Sequence, residues 1–453
     1  MSNNQVSANK VGECFIGYYQ SQGYTAIPGS SLMDPSVPMT FVMSAGLVQV
    51  ETSASLHGGR TGIRYALIQN CFRYFDMANV GSSATHLSLF QMPGAFTFGS
   101  WRKQDSIAQI WQLLTQVYGF PPDALWVSYF AGGQVAGRLF EPDWESQRAW
   151  RDAGLPESHI VGLGPEHNFW KQGAGIVGKE HTHKCGPNTE VFFDRGSHLS
   201  CGSTCRPSCR CGRFVEFLNT LFITLHIDER ADMVEPLDEP FTETVIGAER
   251  VAMLAQGVPS VFEIDSICPL IECASASAGA HSLAPADRVR HERVLADHAR
   301  ALLFLTADGA PPPGRGGRAR LMRKLVREML TSQKLMGITD PAFITSLMQT
   351  AVSLCADQQP QLLCAQARVL EYIASEQHRF ERTIEAGRRY LDRILNRRRN
   401  REVVPQDILE MEKRHGVPLP LLEAMLAQQD VNLNGQAYQQ VYDQRQQSAA
   451  GAH

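Results

Sequence analysis

The hydrophobic pattern of this chain changes character once, and that change bounds its architecture. From residue 10 to residue 275, β-rich runs such as TFVMSAGLVQV, ALWVSYF, TEVFFD and FITLHI alternate with helical stretches such as QDSIAQIWQLLTQVYG. Strand-length runs mixed with longer helical periods read as α+β. After the small-residue segment ECASASAGAHSLAPADR the strand signals stop. HERVLADHARALLFLTADG, RARLMRKLVREMLTSQKLMG and RFERTIEAGRRYLDRILN then repeat apolar residues at three- and four-residue spacing, the stripe of a helix that buries one side. A chain of 453 residues also exceeds what one core usually organises. The expectation is an α+β domain over 1–280 and an all-helical domain over 281–453.

Charge excludes little by itself. The formal net charge is −4, with 43% hydrophobic and 19% charged residues, as in an ordinary globular protein. The N-terminus MSNNQVSANKVGECF lacks a signal-like apolar core and no run of eighteen apolar residues occurs, so a cytoplasmic protein without a membrane partner is expected. In that compartment thiols stay reduced, and the eleven cysteines point to metal rather than to a disulfide framework. The helical half is locally basic. Arg315, Arg318, Arg320, Arg323, Lys324 and Arg327 fall within thirteen residues, and a second run spans Arg388 to Arg401. Basic stripes on helices neutralise phosphates along a nucleic-acid backbone, or simply form a solvated face.

Two segments carry chemistry. NCFRYFDMANVGSSATHLSLFQMPGAFTFGSW, residues 70–101, gives an early arginine followed by a Gly- and Phe-rich hairpin. TETVIGAERVAMLAQGV opens a helix with an acid, a glycine and an arginine. Two guanidinium groups brought together suit a polyphosphate, because the planar fork matches phosphate oxygens.

In this order and separation the two segments resemble motifs 2 and 3 of class II aminoacyl-tRNA synthetases, in the wording of the alanyl-tRNA synthetases. IPGSSLMDPSVPMTFVMSAGLVQV is similar to the first motif region, and NFWKQG, CGPNTEVFFD, FLNTLFITL and VIGAER to later active-site segments. DHARALLFLTADGAPPP, LMRKLVREM and RFERTIEAGRRYLDRIL resemble the tRNA-recognition domain. The likeness covers nearly the whole chain and implies an aminoacylation core without editing and C-terminal domains. It implies a six- or seven-stranded antiparallel sheet with flanking helices, ATP and magnesium as cofactors, and a small amino acid as substrate. Arg73 would hold the α-phosphate and Arg250 the γ-phosphate side, with Phe90 stacking adenine and Gln91 and Glu249 completing the ATP site. Trp170, Asn219, Leu221, Glu243 and Val245 would line the amino-acid pocket, and Arg318, Arg320, Arg323 and Lys324 would meet RNA. Outside the motif context Phe90 and Trp170 would read as core aromatics.

The sequence also departs from the family. The motif 2 loop YFDMA is short, Gln91 replaces a glutamate and Thr85 an arginine beside His86. Glu243 stands for aspartate, Leu221 for a smaller residue and Val245 for glycine, so the pocket should shrink toward glycine. The neighbourhood PPPGRGGRARL lacks the asparagine with which the family reads its tRNA. The expected acceptor is therefore a tRNA or a carrier protein. A catalytically inactive paralogue that binds RNA or regulates is the alternative.

Finally, His181, His183, Cys185, His198, Cys201, Cys205, Cys209 and Cys211 place eight soft ligands in thirty-one residues, within an insertion at about 178–212. Zinc needs four such donors in tetrahedral geometry, and Cys201, Cys205, Cys209 and Cys211 are the expected set, with a loop of unused thiols as the plain alternative. A structural zinc is the expectation. A zinc that binds the amino acid through Cys185 stays open at this point.

Overall fold

The computed structural model describes residues 6–35, 43, 45–55, 62–99, 101–172, 182–228, 233–279, 283–397 and 403–431, with four residues between 436 and 443. The chain divides into two compact units, Met1–Pro269 and Leu270–His453.

The first unit is built on eleven strands: β1 (Thr25–Ala26), β2 (Arg64–Phe72), β3 (Leu89–Phe98), β4 (Leu125–Phe130), β5 (Gly133–Val135), β6 (Arg138–Phe140), β7 (Ile160–Leu163), β8 (Phe169–Lys171), β9 (Thr182–Asp194), β10 (Phe214–Asp228) and β11 (Met233–Ile246). Nine of them form one sheet in the order β1-β2-β3-β11-β10-β9-β4-β7, with β8 paired to β9; β5 and β6 make a separate hairpin. From β2 through β4 every ladder is antiparallel, whereas the edge pairs β1–β2 and β4–β7 are parallel. The sheet is thus larger than the six or seven strands expected, and mixed. The extra strands are short pieces of two to four residues, too brief to leave an alternating pattern in the sequence.

The central strands are buried on both faces. One face is covered by the helices Ala8–Ser21 and Ala248–Gln256, whose Val11, Phe15, Tyr19, Val251 and Ala252 are fully buried or nearly so. Gly12 lets the first helix approach closely, since a Cβ there would sit 2.7 Å from Ile68 Cδ1. The other face carries an apolar cluster of Leu47, Val50, Tyr65, Leu67, Phe96, Phe98, Leu221, Ile223 and Phe241. Each such side chain, fully buried, contributes about 1.5–3 kcal/mol. The β9–β10 register shifts between Leu221 and Leu225. Gly186 lies in that shift, where a Cβ would stand 1.9 Å from the Phe222 carbonyl oxygen, so only glycine fits.

The second unit is helical throughout its described residues. Its longest helix, Gln361–Arg397, buries Leu362, Ala365, Val369, Ile373, Phe380, Ile384, Leu391 and Leu395, the stripe legible in the sequence. Helix Pro285–Ala307 carries His298 into the interior, where Nδ1 meets Asp297 Oδ2 at 3.0 Å and Nε2 meets Glu328 Oε2 at 2.9 Å. Burial alone would lower the His298 pKa, but the two carboxylates outweigh it and raise the value to about 9. The imidazolium is therefore the neutral-pH form. No described helix is long and apolar enough to cross a membrane.

Candidate active site

Directly opposed residues in an antiparallel ladder point to the same face, and residues two apart along a strand share it. The register pairs Asn219 with Val245, Leu221 with Glu243, Glu243 with Phe96 and Val245 with Gly94. Counting back along β3 from Phe96 in steps of two reaches Phe90. Phe90, Asn219, Leu221, Glu243 and Val245 therefore share the face that bears the apolar cluster. Trp170, on the short β8, packs against that cluster from the side. Gly94 leaves room beside Val245, since a Cβ there would meet Val245 Cγ1 at 3.3 Å.

Glu243 is the buried acid of this face, 4% exposed. Burial, reinforced by the nearby Glu51 carboxylate and opposed by Arg73, pushes its pKa up to about 8. Glu51 itself is ion-paired with Lys184. A second acidic group lies on the same face. Asn188 Nδ2 donates to Asn219 Oδ1 at 3.0 Å, and Asn219 Nδ2 donates to Glu190 Oε1 at 3.3 Å. Burial and the neighbouring Glu216 carboxylate raise Glu190 to about 8. The Oδ1 atom of Asn188 is buried with no hydrogen-bond partner among the described residues.

Both arginines sit beside this face. Arg73 precedes the 3₁₀ turn Tyr74–Ala78, donates its N–H to the Ser88 carbonyl at 2.9 Å, and holds its guanidinium carbon 5.0 Å from the centre of the Phe90 ring. Arg250, at the start of helix Ala248–Gln256, donates from NH1 to the Glu216 carbonyl at 2.8 Å and from Nε to the Thr85 carbonyl at 3.3 Å, with the Glu216 carboxylate 3.7 Å away. Glu249 accepts the Gln91 N–H at 3.1 and 3.2 Å from its two oxygens, bracing the helix against β3. The Gln91 side chain points the other way, to Asn70 Oδ1 at 3.4 Å. Two guanidinium groups, a half-exposed ring and three acids thus lie about one surface, a layout for a nucleotide polyphosphate beside an ammonium group.

Comparison with known proteins decides the family. The family described as tRNA synthetases class II (A) matches residues 10–453. The chain belongs to that family. Alanine--tRNA ligase of Dehalococcoides mccartyi (strain 195) is 30% identical over 429 residues, covering 94% of this chain and 47% of the relative. Alanine--tRNA ligase of Thermotoga maritima is 30% identical over 450 residues, covering 99% of this chain and 50% of the relative. The chain spans about half the length of the curated relatives it matches. Among solved structures, apo histidyl-tRNA synthetase of S. aureus aligns with a TM-score of 0.33 and 13% identity over 56% of this chain and 69% of that one.

Glu190, Glu216 and Asn188 on the candidate face, and Glu51 of helix Leu47–Ser55 near Glu243, are not among the residues singled out in the sequence. Glu190 had a usable signal, being an acid two residues after Asn188 and directly before the apolar run 191–193. Glu216 had none, because an irregularity between Glu216 and Leu218 in the β9 register returns it to the face of Asn219, which strict alternation would deny.

The Cys/His segment resolves into two separate places. Cys185 is fully buried inside β9, opposite Leu225, and His183 lies two residues before it. The loop cysteines follow Asp194, at the far end of β9. At a strand rise of about 3.3 Å per residue, Cys185 is roughly 30 Å along β9 from the start of that loop, so the eight soft ligands do not form one cluster. His181 lies outside the described residues. Of the four expected ligands, the sulfurs of Cys201, Cys205 and Cys211 lie within 4.8 Å of one another; Cys209 stands outside that triangle.

In the helical unit, taken by itself, Arg320 and Lys324 are exposed on helix Gly317–Leu335, while Arg318 and Arg323 are half-buried. Lys324 reaches Glu328 at 3.8 Å. Arg323 is surrounded by Arg327, Arg320 and Arg315, and Arg327 is neutralised by Glu376 at 2.7 Å. The remaining patch is cationic.

Proposed function

We propose that this chain activates a small amino acid with ATP, forming an aminoacyl adenylate and pyrophosphate, and passes the aminoacyl group to a tRNA. The observation that carries the reading is the shared sheet face. It sets Phe90, with Arg73 against its ring, on β3 and the buried carboxyl of Glu243 on the neighbouring β11, with Asn219 and Asn188 on the next two strands beyond. Phe90 offers a ring for adenine, Arg73 and Arg250 fix phosphate oxygens, and ionised Glu243 pairs with the substrate ammonium. Preorganised cations beside a charged phosphorus centre accelerate transfer without a protein nucleophile. Magnesium suits the hard oxygens of Glu190 and Glu216, and when bound it would neutralise phosphate charge.

Leu221 and Val245 stand on either side of Glu243 on the same face, where they fill space beside the substrate side chain. That supports glycine as a substrate at least as good as alanine. The relatives' names, alanine--tRNA ligase, favour tRNA over a carrier protein as acceptor, and the cationic patch around Arg320 and Arg323 supports RNA contact by the helical unit. A cytoplasmic site of action accords with this reading. ATP–pyrophosphate exchange measured with each amino acid in turn tests it. Exchange with glycine or alanine supports activation, whereas no exchange with any amino acid favours the non-catalytic paralogue.

A further inference from the structure

The connection between β9 and β10, residues 195–213, is a nineteen-residue loop with only the three-residue turn Ser197–Leu199 as regular structure. Loops of more than about 12–15 residues without secondary structure are uncommon in compact domains and need something to order them. Apolar burial does not supply it here. Most of the loop from Cys201 to Arg213 is exposed or half-exposed, and Pro207 is its buried residue. The base is clamped: Arg213 makes a two-point contact with Asp194 at 2.8 and 2.5 Å, and the Arg195 N–H donates to the Arg213 carbonyl at 2.9 Å. The tip has no such clamp of side-chain charges. It gathers thiols instead.

We propose that this tip binds one zinc ion through Cys201, Cys205 and Cys211, with Cys209 as the fourth sulfur, and that the zinc is structural. The three sulfurs lie within 4.8 Å of one another, and Cys205 Sγ is 3.5 Å from Cys211 Sγ. Four thiolates at about 2.3 Å from a tetrahedral zinc stand about 3.8 Å apart, so the triangle has nearly the edge length of a metal site. A disulfide would need about 2.05 Å. Cys209, two residues before Cys211 in the same loop, accepts the Arg206 N–H through its sulfur at 3.5 Å and is the donor assigned to the fourth vertex. Four thiolates select zinc over magnesium or calcium. Ser208 adopts a left-handed backbone with φ 87°, a conformation that a non-glycine residue holds only when its surroundings fix it.

The site is closed, with no position left for substrate. Asn219 lies five residues along β10 from the loop, roughly 15 Å at a strand rise of about 3.3 Å, so the zinc reaches the amino-acid pocket only through the strands. Its effect is to fix the ends of β9 and β10, which present Glu190 and Glu216.

The test reads metal rather than activity, so it stands or falls apart from the proposed reaction. The full chain, purified under reducing conditions, should hold about one zinc by elemental analysis. Cys205→Ser and Cys211→Ser should each lower zinc content at least tenfold, while Cys364→Ser, an exposed thiol of the helical unit, should retain it. As a check independent of variant folding, wild-type protein stripped by a chelator should bind cobalt with the visible and near-ultraviolet bands of tetrahedral thiolate ligation. Zinc-free protein that shows no such bands on cobalt titration overturns the proposal. So does full zinc retention in both Cys205→Ser and Cys211→Ser.

Discussion

Glu243 gives the proposed amino-acid site a proton signature. Its carboxyl is buried and its pKa stands at about 8, so at pH 7 only about a tenth of the molecules carry the carboxylate. A substrate ammonium placed about 4 Å away gains about 4 kcal/mol from the ionised form at an effective dielectric constant near 20. That is about three pKa units, bringing the bound value to about 5. Binding at pH 7 should then expel about 0.9 proton per site, and the dissociation constant should rise about tenfold per unit as pH falls from 7 to 6. The direction follows from the sign of the shift: a carboxyl raised above its ordinary range is neutral in the empty site and must ionise to pair. Calorimetric titration with glycine or alanine, repeated in buffers of different ionisation enthalpy, measures the proton count directly. Glu243→Gln should bind at least tenfold more weakly and release no proton. Release below about 0.2 proton at pH 7, together with a flat pH profile, would refute the argument. Undiminished release in Glu243→Gln would move the proton to Glu190, which has a similarly raised pKa.

Other consequences are simpler to measure. Arg73→Ala should lower pyrophosphate exchange by about 10²-fold or more with an unchanged melting temperature, because Arg73 lies against the half-exposed Phe90 rather than in the core; exchange at the wild-type rate would remove Arg73 from the reaction. Exchange with glycine should at least match exchange with alanine, and Glu243→Asp combined with Val245→Gly should shift preference to alanine; a strong alanine preference in the unmodified chain would show that the pocket wall is not set by Leu221 and Val245. His298, with a folded pKa of about 9 against an ordinary 6.5, contributes stability that is complete below pH 6.5 and is lost as pH rises through 9. Thermal melts between pH 8.5 and 10 should therefore fall in the wild type and fall less in His298→Gln.

The helical unit was the easiest part to read, because Leu362, Val369, Ile373, Phe380 and Ile384 repeat a stripe that nothing but a half-buried helix requires. The sheet was harder. Its long central strands are buried on both faces, so they show apolar runs rather than alternation, and the two- to four-residue edge strands show nothing. The arginines and aromatics of the candidate site came from segment resemblance, and the register then placed Phe90, Glu243, Asn219, Leu221 and Val245 on one face. Glu190 and Glu216 escaped notice because a single carboxylate in a strand is an ordinary residue until the fold sets another beside it, and Glu51 because it lies on the separate helix Leu47–Ser55. For Glu190, burial and the neighbouring Glu216 carboxylate raise the pKa and mark the residue.

Cysteine spacing shows the same limit from the other side. Read along the chain, Cys185 and His183 were as close to Cys201 as a metal ligand needs to be, since sequence distance says nothing about direction. An extended strand converts nine residues into roughly 30 Å, whereas a loop returns to its starting point in fewer. Cys201, Cys205 and Cys211 meet in a loop where Gly202 and Ser208, between them, and Gly212, just after, take left-handed backbone conformations that turn the chain back on itself. A Cys-x3-Cys-x3-Cys-x-Cys spacing carries that geometry only through the residues between and beside the cysteines.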